Sequence, residues 1–551
     1  MRGWIVYLSC ASALACVTPG SQEKAPRSEP SVQGRKEAFS IARVEKVDLL
    51  FVIDNSNSMA GEQAQLRAQF PRLMEALTTG RRSPDDPRPF TPVRDLHVGV
   101  VSTDMGIPGV ELPPSCHADG GDDGQLQHAP RGESCADQYP PFLSYQAGSS
   151  NAVQLAQDFA CVAALGTGGC GFEEQLEAPL KALSPRVVLD ADGRPTDEMP
   201  TRFIATAMDR TLGRGDLPVE RGGNLGFLRN DPSDPSLLAI VLMTDEEDCS
   251  VKDTQHLKPN NQLPEGDPLR AEDINLRCFN HPELKYDVRE RYLKGFRALR
   301  PGREDLVVFS AIAGVPPDLV DANVIASTDF TDESSREAFY QTIMNDPRMQ
   351  AEVDPATLPG SGQGNIKPSC VRPPPPGEEH PSTAFPPRRI VELARAFGPM
   401  GMVQSICQDD FGPAIDMLVY SMAKSLSEMC MPQRLVRNDS DLVSCKLIWQ
   451  LPRAEDVQAE SLPAETPTAC SQLPQSLVDE DLGDQRCAIH QLAVADGAVA
   501  EGGDGWYYDD FTPNLDALCA AGLQRIAFSE GAAPPPGVSV KLECEAGAQV
   551  Q

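Results

Sequence analysis

Val47-Asp48-Leu49-Leu50-Phe51-Val52-Ile53-Asp54-Asn55-Ser56-Asn57-Ser58-Met59 is the stretch that decides the fold. Its first seven residues are apolar except Asp48, the pattern of a strand covered on both faces, and the run stops at a carboxylate followed by hydroxyls. Similar apolar runs occupy 96–102, 237–244, 306–313 and 402–406. Amphipathic spacing between them predicts helices over 62–77, 152–165, 172–183, 201–212, 284–299, 388–396 and 411–427. Strand and helix in alternation imply an α/β fold with a doubly wound, mostly parallel sheet, whose ligands bind beyond the carboxyl ends of the strands. Long Gly-, Pro- and Asp-rich insertions at 108–147, 190–235 and 316–387 interrupt this core, the last carrying the polyproline-prone run Val371 to Pro376.

Asp54, Ser56 and Ser58 place three oxygen side chains at alternate positions of one loop, where they can converge on a hard cation. A second apolar run, Ile240-Val241-Leu242-Met243-Thr244, ends at Asp245. The plainer reading makes both loops polar strand-to-helix turns in which Asp and Ser act only as caps. Taken together the two strand ends resemble the von Willebrand factor type A domain and its metal-ion-dependent adhesion site, over about 47–428. The resemblance implies a Rossmann-like fold and a bound Mg²⁺, with Mn²⁺ or Ca²⁺ as alternatives. It implies that Ser56 and Ser58 are hydroxyl ligands, that Asp54 and Asp245 help through water, and that a ligand carboxylate completes the shell. A Thr before a helix is the family's remaining ligand. Thr167 is the available hydroxyl, although the spacing to the following helix puts that position nearer Cys170. Glu173 offers a substitute, or simply a favourable charge at a helix start. Glu246, Glu247 and Asp248 read either as ligands of a second cation or as a solvated acidic loop anchored by Cys249. Thr103-Asp104 and Trp506-Tyr507-Tyr508 read more simply as a turn and as core than as parts of a site.

Composition narrows the function classes. With 80 Asp and Glu against 48 Lys and Arg in 551 residues, the net charge of −32 repels phosphate backbones and excludes nucleic acid as an expected partner. The segment 1–15 reads as an export signal, with a single charge and an apolar stretch too short to span a bilayer. Ala13-Leu14-Ala15-Cys16 is similar to a bacterial lipobox, with Ala13 where Leu is usual, so Cys16 is the candidate for lipidation. An unlipidated secreted chain cut at the same bond is the alternative. Residues 16–46 read as a flexible tether, 47–429 as the type A domain with its insertions, and 430–551 as a smaller disulfide-rich, mostly β domain.

The 16 cysteines point to an oxidising compartment, and sequence neighbourhood suggests Cys116–Cys135, Cys161–Cys170, Cys249–Cys278 and Cys370–Cys407. No G-x-S-x-G, H-E-x-x-H or G-x-x-x-x-G-K-[ST] occurs, and an enzyme is not expected. The expectation is an exported, outer-membrane or cell-surface lipoprotein, otherwise a secreted or periplasmic chain. Its function would be metal-dependent binding of a protein or surface ligand offering a carboxylate. A scaffolding envelope protein with a degenerate, metal-free site is the second reading, and a hydrolase centred on the acidic cluster near Asp245 the third.

Overall fold

The computed structural model describes residues 36–39 and 44–545, apart from 84–85, 91, 113–114, 133, 231–235, 302, 358–363, 374–380, 428, 431–433, 455–456, 458–465, 496, 501–502, 513–523, 530 and 536–537. The export signal, Cys16 and the tether as far as residue 35 lie outside the described residues.

Lys46–Ile53 (β1) is central in a six-stranded sheet. On one side it pairs in parallel with Asp95–Ser102 (β2), which pairs antiparallel with the edge strand Leu143–Gln146 (β3). On the other side Leu237–Met243 (β4), Val307–Ala313 (β5) and Gly401–Ser405 (β6) follow, all parallel. Every residue of β4 and β5 is buried, which explains why these strands read as unbroken apolar runs. The chain leaves β1 for β2 and later returns to the opposite side of β1 as β4, so the order of the sheet reverses at β1. A crevice opens at such a reversal, beyond the carboxyl end of the strand, and Asp54 begins there.

Two groups of helices cover the sheet. Ala60–Thr79 (α1), Ala152–Val162 (α2) and Gly412–Ser427 (α6) form the first. Phe70 of α1 stacks on Phe159 of α2 with centroids 3.7 Å apart, and Phe51 of β1 leans on Phe159 at 4.8 Å. Glu177–Leu183 (α3), Arg388–Ala396 (α5) and the helical stretch 288–297 form the second, tied by Arg291 Nε donating to Glu177 Oε2 at 2.8 Å. Glu333–Asn345 (α4), capped by Asp332, lies inside the third insertion, where the sequence suggested only loop.

Three expected helices are altered. The helix read at 172–183 starts only at Glu177, because the backbone of residues 173 and 174 hydrogen-bonds to other loops instead. That at 201–212 is reduced to the short turn Met208–Thr211, and that at 284–299 opens as a π-helix, Val288–Leu293.

Asp48, the one acidic residue in β1, is fully buried at the end of the sheet away from Asp54. It accepts from Arg229 Nε at 2.7 Å, Ser236 Oγ at 2.6 Å and Arg300 Nη2 at 3.0 Å. Asp123 is a second hub, bound by Lys181, by Arg210 Nε at 2.9 Å and by Arg214. These hubs hold loops that have little regular structure of their own.

The disulfides correct two expectations. Cys116 is joined to Cys170 and Cys135 to Cys161, in place of Cys116–Cys135 and Cys161–Cys170, whereas Cys249–Cys278 and Cys370–Cys407 pair as the sequence suggested. The physical reason is that α2 ends at Val162 against the loop carrying Cys135, while residues 166–172 return to the loop carrying Cys116. There Cys116 and Cys170 share a small apolar cluster with Ile107, Val110, Phe172, Cys249 and Val251. The first insertion is therefore stapled to the segment after β3 and not closed on itself.

Beyond residue 429 the chain forms a second antiparallel region with its own core around Trp449, Trp506, Tyr508 and Leu542. Its five-stranded sheet runs Lys36–Phe39, Ser539–Glu545, Cys445–Gln450, Arg486–Ile489 and Val478–Asp481. Lys36–Phe39 belongs to the stretch read as tether. It is the edge strand here, pairing Lys36 with Glu545 and Phe39 with Leu542. Cys445–Cys544 and Cys470–Cys487 cross-link the region. Trp506 donates its indole N–H to Ile489 O at 2.9 Å, and Trp506 and Tyr508, on the strand Trp506–Asp509 of a separate three-stranded sheet, are buried in this core while Tyr507 is half-buried. Six disulfides among the described residues fit an oxidising, extracytoplasmic environment. No helix among the described residues is long and apolar enough to cross a membrane.

Candidate metal centre

Four loops meet beyond the carboxyl end of β1. The first, 54–58, turns sharply because Asp54 Oδ1 accepts from Ser56 N at 2.7 Å, which leaves Ser56 and Ser58 on the same side of the turn. Their hydroxyls stand 3.4 Å apart. Asp54 Oδ2 accepts from Thr244 Oγ1 at 2.6 Å, joining the end of β1 to the end of β4. Asp54 and Ser56 are buried, and Ser58 is exposed, so the site opens to solvent at Ser58.

The second loop is 166–174. Gln63, in the first turn of α1, exchanges two hydrogen bonds with Gly166: its Nε2 donates to Gly166 O at 2.9 Å and its Oε1 accepts from Gly166 N at 3.1 Å. The same Nε2 donates to Asp54 O at 2.9 Å. Three residues on, Gly169 N donates to Asn55 O at 2.9 Å. Thr167 lies between these two anchors and is half-buried. A side chain at 169 has no room, because a Cβ there would stand 2.2 Å from Asn55 Oδ1, whereas one at 168 would meet nothing within 4 Å. Gly169→Ala is therefore expected to cost about 1–3 kcal/mol of stability through overpacking. Gly168→Ala should stay within about 0.5 kcal/mol of wild type. Parallel urea titrations of the two variants compare them.

Beyond Gly169 the loop is clamped from both sides. Glu174 N donates to Thr103 O at 3.1 Å, and Glu173 O accepts from Cys249 N at 3.0 Å. Cys170 is locked in its bridge to Cys116, so its sulfur is not a ligand. Glu173 is 2% exposed, and its Oε1 has no hydrogen-bond partner.

Thr244 to Ser250 is the third loop. Asp245 is 4% exposed with Oδ1 unpartnered. Burial raises its carboxyl well above the usual range, Asp54 and Glu246 push it further, and a hydrogen bond from Ser58 opposes them. Glu173 is raised well above its ordinary value by burial, and then by Glu246, Asp54 and Asp245. Glu246 is pushed up to about 7 by burial and by Asp54, with a hydrogen bond to Glu173 working against the rise. Asp54 is raised by burial, against the hydrogen bonds from Thr244 and Ser56.

Glu247 and Asp248, grouped with Glu246 by sequence as ligands of a second cation, face another way. Glu247 accepts from Arg389 N at 3.1 Å and lies near Lys285. Asp248 accepts from Arg389 Nε at 2.9 Å, Leu176 N at 3.0 Å and Ser250 Oγ at 2.6 Å. Their oxygens are already used to hold α3, α5 and the third loop together. Only Glu246 of the three turns to the Asp54 side.

The fourth loop, Thr103-Asp104, closes the site behind Glu174. Thr103 is fully buried with its hydroxyl unpartnered. Asp104 folds back on Gly106 N at 2.8 Å and is raised to about 6, chiefly by burial. A hairpin from the third insertion flanks the site on the α1 side, where Arg372 Nη2 donates to Glu62 Oε1 at 2.7 Å and Phe385 N to Asp245 O at 2.8 Å.

The donor set at the centre consists of oxygen alone, from two hydroxyls and from carboxylates with orphaned atoms, which suits Mg²⁺, Mn²⁺ or Ca²⁺ and not a soft metal. Among the described residues no three His, Cys, Asp or Glu side chains converge closely enough to hold an ion by themselves. A cation here would depend on the hydroxyls of Ser56 and Ser58 as well. Glu173 is the residue whose position sequence left open, and its signal was a carboxylate directly after the Gly-rich loop. Compared with known proteins, the chain matches no family model and no curated relative.

Proposed function

We propose that this is an exported binding protein of the von Willebrand factor type A kind, holding a divalent cation at the end of β1 to engage a protein or surface ligand through a carboxylate. The observation that carries the reading is the orphaned, buried Asp245 Oδ1 beside the paired hydroxyls of Ser56 and Ser58, at the strand where the sheet order reverses. A buried polar atom without a partner is costly, and a water held on a hard cation removes that cost. Support for the fold comes from the parallel order around β1 with a single antiparallel edge strand, β3. The lipobox-like 13–16 supports attachment to an outer membrane or cell surface through Cys16.

In this reading Asp54, Ser56, Ser58 and Asp245 hold the ion, and the adjoining 166–174 loop supplies one further ligand, a position the family resemblance gives to Thr167. The ion supplies an electrophilic position for an acidic partner, and the exposed edge at Ser58 is where that partner reaches it. Calorimetric titration with Mg²⁺ and Mn²⁺ tests the reading. Wild type is expected to take up one ion per chain, and Asp54→Ala to lose at least tenfold in affinity. Equal binding by both proteins, or by neither, would sink it. Binding by neither would favour the scaffolding alternative.

A further inference from the structure

The third protein ligand of a site like this is expected from the loop between α2 and α3. Two oxygen-bearing side chains on that loop compete, and the structure treats them differently. Thr167 is half-buried on a run whose neighbours Gly166 and Gly168 leave the surrounding space open. Glu173 is enclosed, and its main chain is fixed by Thr103 O through residue 174 on one side and by Cys249 N on the other. One of its oxygens has no partner among the described residues. The charges acting on it are those of Asp54, Asp245 and Glu246, and no cationic side chain is among its strongest neighbours. A helix-start role does not account for this placement, because α3 begins four residues later, at Glu177.

From these contacts we infer that Glu173, and not Thr167, supplies the third protein ligand to the cation beside Ser56 and Ser58. The inference rests on the metal-binding reading above and departs from the pattern of the family it resembles, where that position is a neutral hydroxyl. One direct carboxylate among neutral hydroxyls changes the character of the ion. The cation is bound more tightly before any partner arrives, and its remaining charge attracts a partner's carboxylate less strongly. The ion becomes a resident part of the fold, and the clamp through Cys249 couples its occupancy to the third loop. Because only Glu173 coordinates directly while Asp54 and Asp245 act through water, three converging acidic side chains are not required.

The test is Mn²⁺ titration of the full chain by calorimetry, with apo melting temperatures recorded in chelator, for wild type, Glu173→Gln and Thr167→Ala. Glu173→Gln should weaken Mn²⁺ binding at least tenfold, while its apo melting temperature stays level or rises, because a neutral side chain of the same shape fills the same enclosed space. Thr167→Ala should bind within twofold of wild type. The reverse ranking of the two variants, or losses of equal size, overturns the inference and leaves the metal site standing. A Glu173→Gln protein with a lowered apo melting temperature marks Glu173 as a packing residue and overturns it too. Absence of Mn²⁺ binding by wild type, or undiminished binding by Asp54→Ala, brings down the underlying reading and this inference with it.

Discussion

Replacing Asp48 by alanine is expected to lower the unfolding free energy by about 3–5 kcal/mol, the cost of removing one partner from a buried ionic group. Asp48 is fully buried, and the substitution strands Arg300, itself 5% exposed, and leaves Arg229 with Asp95 as its one carboxylate partner among the described residues. Ser236 Oγ loses its shorter hydrogen bond in the same step and keeps Arg229 O at 3.2 Å. The proposed cation site lies at the opposite end of β1, so the loss should appear as a lower denaturant midpoint with Mn²⁺ affinity preserved at temperatures where the variant remains folded. A variant as stable as wild type would show that Asp48 is not holding the base of the sheet. Asp48→Asn keeps the shape and some of the hydrogen bonds, and should fall between the two.

The second large effect is a pH dependence that a cation erases. Asp104 and Glu246 are raised to about 6 and about 7, and Asp54, Glu173 and Asp245 move in the same direction. A carboxyl whose folded pKa exceeds its unfolded value contributes stability that is fully present below the unfolded value, near 4, and is lost as pH rises through the folded value. In chelator the melting temperature should therefore fall by roughly 5 °C or more between pH 5 and pH 8. Asp318, Asp346, Glu337 and Asp509 are held low by arginines, so their contributions are lost only in stronger acid and do not mask the trend. Adding Mg²⁺ or Mn²⁺ at pH 8 should restore most of the loss, because the ion takes over the work of the protons. A flat profile in chelator between pH 5 and 8 would contradict the proposed cluster.

The core was legible because its physics is local. Runs such as Leu237 to Met243 are buried on both faces and announce themselves as unbroken apolar stretches. The helix expected at 388–396 is found as Arg388–Ala396, where its periodicity is strong and no competing loop contact intervenes. The site was legible only in part. Asp54, Ser56 and Asp245 sit at strand ends whose geometry is fixed by the sheet. The direction of Glu246, away from Glu247 and Asp248, depends on Arg389, which is more than a hundred residues further along the chain. Likewise Cys116 and Cys170 meet because the first insertion and the segment 166–172 fold onto one apolar cluster, a non-local event that spacing does not encode.

Lys36–Phe39 has a mechanical consequence. The chain joins the antiparallel sheet through this strand before it enters β1, and its partner Ser539–Glu545 is close to the other end of the sequence. In a chain held by its amino terminus, tension would first load four backbone pairings on the edge of the carboxyl-terminal sheet and only then reach the parallel one. The strand would act as a fuse: its peeling would take up the pull before it reached the end of β1 at Asp54.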